Sequence, residues 1–588
     1  MGNLIISAPA ERSRWAKIRR VEGLTTLIPR AWIGQITFSD GTSLRFSKSD
    51  IVLIVGPNNA GKSAALRAIR DKLSQNLRSP VISDVDPTRE GTPDEVIDWL
   101  ESFTRKHDAQ APDPVFQAFG VGVQGSQARG YWQQGSAFLQ NLSRFFCHLL
   151  TADERLLAAN PAQSIAIVRE PPVHPVHYLL RDDRLEEKLS AQFRKAFGVD
   201  LVVNRVAGSQ VPLHVGLRPT PSEGQDRLSY DYVQALEQLP QLHLQGDGMR
   251  SFAGVLLYTS VGRESILLID EPEAFLHPPQ ARLLGRMLVA DKPELRQLFI
   301  ATHSGDILRG VLDAGSASVR VVRIRRSGEV NRVCQLDNEK IAELWGDPLL
   351  RYSNILDGLF HEKVIVCEAD SDARFYSAIA DAIVETAGAG TRRPDVMFTH
   401  CGGKDRLAVV VRALREVDVP VAVAVDFDVL NNDQPLRAIV EAAGGDWSAV
   451  QPNWNQVKAA VDSKKSELSA DEVRSEIEGI LSRVSGMSFP KSARDAIQKT
   501  FRRSSPWATA KEVGRTFVPA GQSTQAYERL LATLQGWGIF VVEVGELESF
   551  VRSVGNHGPK WVNEVLKKDL GNDSELEPAR QYVAKLLG

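Results

Sequence analysis

An apolar run, Ile51-Val52-Leu53-Ile54-Val55, leads directly into Gly56-Pro57-Asn58-Asn59-Ala60-Gly61-Lys62-Ser63, and a helical pattern from Ala64 to Lys72 follows. No other feature constrains the fold as strongly. The eight residues match the phosphate-cradling pattern GxxxxGK[ST] without a mismatch. Strand, glycine loop and helix in this order aim backbone N–H groups and a helix N-terminus at one point. Gly56 and Gly61 let the backbone approach phosphate, with Asn58 and Asn59 between them, Lys62 reaching the β- and γ-phosphates and Ser63 holding Mg²⁺. A unit of this kind predicts an α/β chain.

A second apolar run, Ile266 to Asp270, ends on Asp270-Glu271, the expected partner half of a nucleotide site. Asp270 binds Mg²⁺ directly or through water, and Glu271 polarises the attacking water. The run Gln297 to Thr302 then delivers His303, a candidate sensor of the γ-phosphate. Around this frame, Asp40-Gly41 between Ile36-Thr37-Phe38 and Leu44-Arg45-Phe46 predicts a β-hairpin. Val319 to Arg325 alternates and predicts a more exposed strand. The stretch from about 84 to 240 reads as a helical insertion, with helices at Glu95–Lys106, Ala137–Leu150 and Leu185–Phe197.

After a linking stretch, Trp345 to Phe360, the strand–helix alternation restarts. Val364 to Cys367 ends on Glu368, with Asp372 four residues on; Val421 to Val425 ends on Asp426, with Asp428 two residues on. Acids at the C-terminal ends of neighbouring parallel strands converge. Three or four carboxylates in one place repel one another and call for divalent cations, and oxygen donors select Mg²⁺ or Mn²⁺. A second helical region, about 447 to 534, precedes a last strand at Ile539 to Val544.

With 588 residues, 43% hydrophobic and 24% charged, the chain excludes wholesale disorder and a rod, and its length predicts roughly four structural units at about 150 residues each. A net charge of −3 means that any nucleic-acid surface is a local patch. No apolar run reaches the roughly 18 residues of a membrane span, and Met1 to Ala10 does not read as a signal peptide. Cys147, Cys334, Cys367 and Cys401 form no CxxC pair and read as reduced thiols of a cytoplasmic protein.

The phrase Asp270-Glu271-Pro272-Glu273-Ala274-Phe275-Leu276-His277-Pro278 resembles the extended Walker B motif of ABC-type ATPases related to SMC and RecF proteins. Leu244-Gln245-Gly246-Asp247-Gly248-Met249-Arg250-Ser251 stands where such proteins carry a signature loop that caps the γ-phosphate of an opposite head. Asp247 occupies the aligned serine position. That either removes the cap or passes it to the Gly248 backbone and Ser251. The Glu368, Asp372, Asp426, Asp428 set resembles a TOPRIM domain, and Gly402-Gly403-Lys404 suits a turn near phosphate. An ABC-type head followed by TOPRIM is the arrangement of the OLD (overcoming lysogenisation defect) nucleases, a family that includes the Gabija-type defence nuclease. The resemblance implies an ATPase domain over 1–355, with 84–240 as a dimerisation region, and a TOPRIM domain over 356–588, with 447–534 inserted. It also implies Glu546 and Glu548 as late metal ligands and Lys560 as the lysine near the scissile phosphate.

Between Lys491 and Arg515 there are seven basic residues (Lys491, Arg494, Lys499, Arg502, Arg503, Lys511, Arg515) against Asp495 and Glu512, with Phe501 and Trp507 interleaved. This pattern suits phosphate tracking with stacking platforms, and the run Arg12 to Arg20 is also basic. The expected activity is a nucleotide-regulated, Mg²⁺- or Mn²⁺-dependent DNA endonuclease or nickase in defence against phage or mobile DNA. ATP would be its cofactor, a homodimer or larger oligomer its form, and a second defence component a further partner, with no membrane. The alternative is an SMC- or RecF-like DNA-binding ATPase with a non-cleaving TOPRIM domain. Strand passage or primer synthesis is disfavoured, because no further topoisomerase or primase module is recognisable.

Overall fold

The computed structural model describes residues 28–588 except 76, 108–110, 119–120, 134–137, 262, 317, 329, 337–338, 340, 342–344, 349–353, 389, 391, 465–469, 485–487 and 503–505. Met1–Ala10, the basic run Arg12–Arg20, Arg503 and parts of the linking stretch lie outside the described residues. Contacts divide the chain into two compact units. One comprises Met1–Asp50, Ala65–Asp270 and Asp291–Phe299; the other comprises Ile51–Ala64, Glu271–Ala290 and Ile300–Gly588.

In the first unit the hairpin forms as expected. Arg30–Phe38 pairs antiparallel with Ser43–Arg45, Ile36 opposite Leu44, and Ile82–Glu90 pairs along its other edge. The turn is held by Asp40, whose carboxylate accepts the Thr42 N–H at 2.9 Å, and by Gly41 at φ +87°. The stretch from 84 to 240 is not purely helical. Helices do form at Pro93–Phe103 and Asp183–Phe197. The predicted helix over 137–150 resolves instead into the short helix Ser143–Phe146 and the strand Cys147–Leu150. That strand runs parallel to Ile266–Asp270, Leu149 opposite Leu268. The four residues Cys-His-Leu-Leu are too few to show a period, so only a partner strand reveals their conformation.

In the second unit Ile51–Val55, buried throughout, lies parallel to Val319–Ser327, whose other edge carries Val330–Gln335 antiparallel. Val319–Ser327 is therefore an inner strand, and the expectation of exposure is corrected. Arg323 makes the pattern look alternating, yet it is 1% exposed. Its guanidinium donates to the carbonyls of Leu359 at 3.2 Å and His361 at 2.9 Å, and also to Asp418. Filled donors let an arginine lie inside.

A four-stranded parallel sheet follows in the same unit, in the order Val396–His400, Lys363–Cys367, Val421–Val425, Ile539–Val541. Helices Asp370–Thr386 and Lys404–Glu416 connect the first three strands in sequence. Phe375, Tyr376, Phe550, Trp561 and Tyr582 join one aromatic core with Ile365 and Ala424 of the sheet. Between the third and fourth strands the chain is helical, with Trp447–Asp462, Ala470–Leu481, Lys491–Arg502, Pro506–Val513 and Gln522–Gly536.

Candidate functional site

The glycine loop leaves its strand at Gly56, which has φ +146°; a Cβ there would lie 2.0 Å from the Ile324 carbonyl oxygen. Only glycine fits. Asn59 at φ +61° and Gly61 at φ +97° complete the loop, and helix Lys62–Ser74 begins at once. Asn58 lies exposed on the loop and Ser63 half-buried in the first helical turn. Lys62, 7% exposed, donates from Nζ to the carbonyls of Gly56 and Pro57, both at 2.8 Å. Its ammonium is thus held over the loop whose N–H groups would meet phosphate.

Glu271 has a left-handed backbone, φ +47°, and its N–H donates to the Ala301 carbonyl at 2.8 Å. Non-glycine residues are held in that region only where surrounding structure fixes them. His303 Nδ1 lies 3.4 Å from Glu271 Oε1 and 3.2 Å from Glu273 Oε1. Glu273, not assigned a role by sequence reasoning, fixes this corner. Its Oε1 accepts from Thr302 Oγ1 at 2.8 Å and from the His303 N–H at 2.9 Å. Burial raises its carboxyl pKa against those donors. Spacing offered no signal, since an acid two places after Glu271 reads equally well as a solvated turn.

In the first unit Asp270 closes its strand, and its carbonyl accepts from Arg155 Nη1 at 2.6 Å. The fully buried Arg155 also donates from Nε to Ser251 Oγ at 3.1 Å. Ser251, one of the two groups offered as a replacement for the signature serine, is 0% exposed and accepts that internal bond. Asp247 opens helix Asp247–Val261 and pairs with Arg250 at 2.8 Å. Gly248 lies in that first turn, where N–H groups have no intrahelical acceptor.

The acidic residues converge in the second unit. Ligand oxygens of Glu368, Asp426 and Asp428 lie within 4.8 Å of one another, and those of Glu546 and Glu548 with a His557 nitrogen do likewise. Glu368 Oε1 also accepts the Asp426 N–H at 3.1 Å, tying the ends of two adjacent strands. Asp372 turns back to accept the Ala369 N–H at 2.9 Å, capping its own helix. Burial, reinforced by the Glu368 charge, holds the Asp426 carboxyl well above its ordinary pKa. Burial likewise raises Glu368, Asp372 and Glu546. Lys560 is exposed in helix Pro559–Val565, and among the described residues no carboxylate of the cluster pairs with it.

Two cations lie among these carboxylates: Lys404, from the turn expected near phosphate, and Lys511, which sequence reasoning did not place in the site. Lys404 Nζ lies 3.3 Å from Asp428 Oδ2. Lys511 Nζ lies 3.2 Å from Asp426 Oδ2 and 3.8 Å from both Asp428 Oδ2 and Glu546 Oε2. Burial opposes the Lys511 charge, but the carboxylates outweigh it and raise its pKa. Lys511 was visible only as one member of a basic run. Trp507 of the same helix is not a stacking platform. It is 5% exposed, packs near Phe427, and its indole N–H donates to Asp462 at 2.8 Å.

The donor set fits a hard divalent cation. Asp428 Oδ1 is buried with no hydrogen-bond partner among the described residues, and four carboxyl groups are pushed toward protonation where a cation would relieve them. Oxygen donors in the first trio suit Mg²⁺ or Mn²⁺.

Three family models match. Residues 359–428 match "Overcoming lysogenization defect protein-like, TOPRIM domain". Residues 139–309 match "AAA domain, putative AbiEii toxin, Type IV TA system", and 36–74 match "AAA domain". An uncharacterised protein of Methanocaldococcus jannaschii is 32% identical over 104 residues, covering 17% of this chain and 90% of that protein. The SMC head domain from Thermotoga maritima is 11% identical, with 53% of this chain and 100% of that one covered and a TM-score of 0.27. An Smc head domain with an extended coiled coil, bound to the C-terminal domain of ScpA derived from Pyrococcus furiosus, is 11% identical, with 53% and 98% covered and a TM-score of 0.30. Likeness at that level carries no functional argument. Among the described residues, no helix is long and apolar enough to cross a membrane.

Proposed function

The chain is an OLD-family protein that joins a P-loop ATPase domain to a TOPRIM domain, and we propose that it is a nucleotide-controlled, Mg²⁺- or Mn²⁺-dependent DNA endonuclease or nickase. The observation that carries this reading is the meeting of Glu368, Asp426 and Asp428 within 4.8 Å, with Glu546, itself grouped with Glu548, tied to the same cluster through Lys511. Glu368, Asp372, Asp426, Asp428, Glu546 and Glu548 would hold the nuclease cations, and Ser63 and Asp270 the cation of the nucleotide. When bound, such ions would supply an activated water and stabilise the leaving oxygen of a phosphodiester. Two of these side chains are already held in place: Glu368 by the Asp426 N–H, and Asp372 by its own helix turn. Lys560, by the family resemblance, would be the charge near the scissile phosphate. Glu271, held beside His303, orients water in the ATPase. A homodimer, a role in defence against phage or mobile DNA, and a second component of that defence rest on the family resemblance.

Plasmid incubated with Mg²⁺ or Mn²⁺, with and without ATP, tests the reading. Nicked or linear DNA is expected, falling by orders of magnitude for Asp426→Ala while ATP turnover persists. Lys62→Ala should abolish nucleotide binding, and Glu271→Gln should keep binding while stalling hydrolysis. Intact DNA beside active ATP turnover would establish the non-cleaving, SMC-like alternative instead.

A further inference from the structure

Lys511 comes from the helical stretch between the third and fourth strands of the parallel sheet, far in sequence from the strand ends that carry Glu368 and Asp426. Its backbone packs directly against the acidic turn. A Cβ on Gly545 would lie 2.2 Å from the Lys511 carbonyl oxygen, and one on Gly514 would lie 2.5 Å from Gly545 N. The Arg515 N–H donates to the Glu543 carbonyl at 2.8 Å, and Ser549 Oγ donates to the Glu512 carbonyl at 2.8 Å. Helix and acidic turn are thus clamped backbone to backbone. The side chain differs: it is 35% exposed, on a flexible four-carbon stem. Its ammonium bridges the two carboxylate groups, reaching Asp426 and Asp428 on one side and Glu546 on the other.

We propose that Lys511 is an internal counter-ion standing in a divalent cation's place, and that metal loading displaces its side chain while its helix stays put. This rests on the reading of the cluster as a metal site. Two cations cannot both lie close to the oxygens of Asp426 without mutual repulsion, so the ammonium competes with the metal. Its point charge holds the carboxylates together without metal, and a polyanionic substrate offers it another partner when metal arrives. By linkage, DNA and metal then favour each other's binding.

Mn²⁺ titration calorimetry on the full chain tests this with Lys511→Met and Lys511→Arg. Lys511→Met should bind Mn²⁺ at least about tenfold more tightly, a change worth about 1.4 kcal/mol, and should melt lower than wild type in EDTA. Lys511→Arg, which keeps the charge, should restore weak Mn²⁺ binding. On the wild-type protein, reductive methylation read by mass spectrometry should label Lys511 faster with saturating Mn²⁺ than in EDTA; this measurement stands even if a variant fails to fold. Unchanged or weaker Mn²⁺ affinity in Lys511→Met, or labelling insensitive to Mn²⁺, overturns the proposal while wild-type Mn²⁺ binding leaves the metal-site reading intact. No Mn²⁺ binding by any of the three proteins sinks both.

Discussion

Burial and the neighbouring Glu368 charge hold the Asp426 carboxyl above its ordinary pKa of 3.8, so between the ordinary and the raised pKa the folded metal-free chain keeps a proton there that the unfolded chain has released. Unfolding free energy therefore falls as pH rises through the raised folded pKa, and that contribution is fully present only below the ordinary carboxylate range. Asp426→Asn removes the charge and its pH dependence. In EDTA at about pH 8 the variant should melt higher than wild type, with the difference vanishing near about pH 4. Saturating Mg²⁺ should raise the wild-type melting temperature more than the variant's. Equal melting curves at both pH values would mean that Asp426 carries no strained charge. Lys511, unlike the exposed Lys560, is seated among the carboxylates because its backbone is clamped to the acidic turn.

Close backbone crossings decide how the elements sit within the second unit. Helices Pro278–Ala290 and Gly305–Asp313 approach where Gly285 faces the Ile307 carbonyl and Gly310 faces the Arg282 carbonyl, with would-be Cβ distances of 2.5 and 2.0 Å. Gly545, at φ +123°, meets the Lys511 carbonyl in the same way. Gly545→Ala must adopt a strained φ and push the helix off, a cost of at least about 2 kcal/mol. We expect a lower melting temperature, and Mn²⁺ affinity shifted from wild type because Lys511 is displaced. Thermal melts and calorimetry on the one variant check both; wild-type values in each would show that the crossing is slack.

At the scale of the whole molecule, the resemblance to ABC-type heads implies that nucleotide is capped between two copies, with Asp247 in the serine's place and Ser251 locked to Arg155. If Gly248 alone serves the cap, association should depend on trapped nucleotide. Light scattering should then show Glu271→Gln doubling its mass with ATP and wild type doing so less. A monomer at micromolar concentration in both proteins, with and without ATP, would remove dimerisation from the account.

The chain's own residues determined the glycine loop, the acids at strand ends and the parallel α/β alternation, because each depends on neighbours within about ten positions whose chemistry and spacing are specific. Gly56, Asp270, Glu368 and Asp426 are legible for that reason. Tertiary structure alone decided the rest. The strand Cys147–Leu150 is defined by its pairing with Ile266–Asp270, and Arg323 is internal because distant carbonyls accept from it. Lys511 left a solvated basic run for the carboxylates because Gly514 and Gly545 let two backbones touch. Glu273 serves His303 across a separate strand end. In each case the partner lies tens or hundreds of residues away, and a charge reveals its role only when the fold brings its counter-charge within reach.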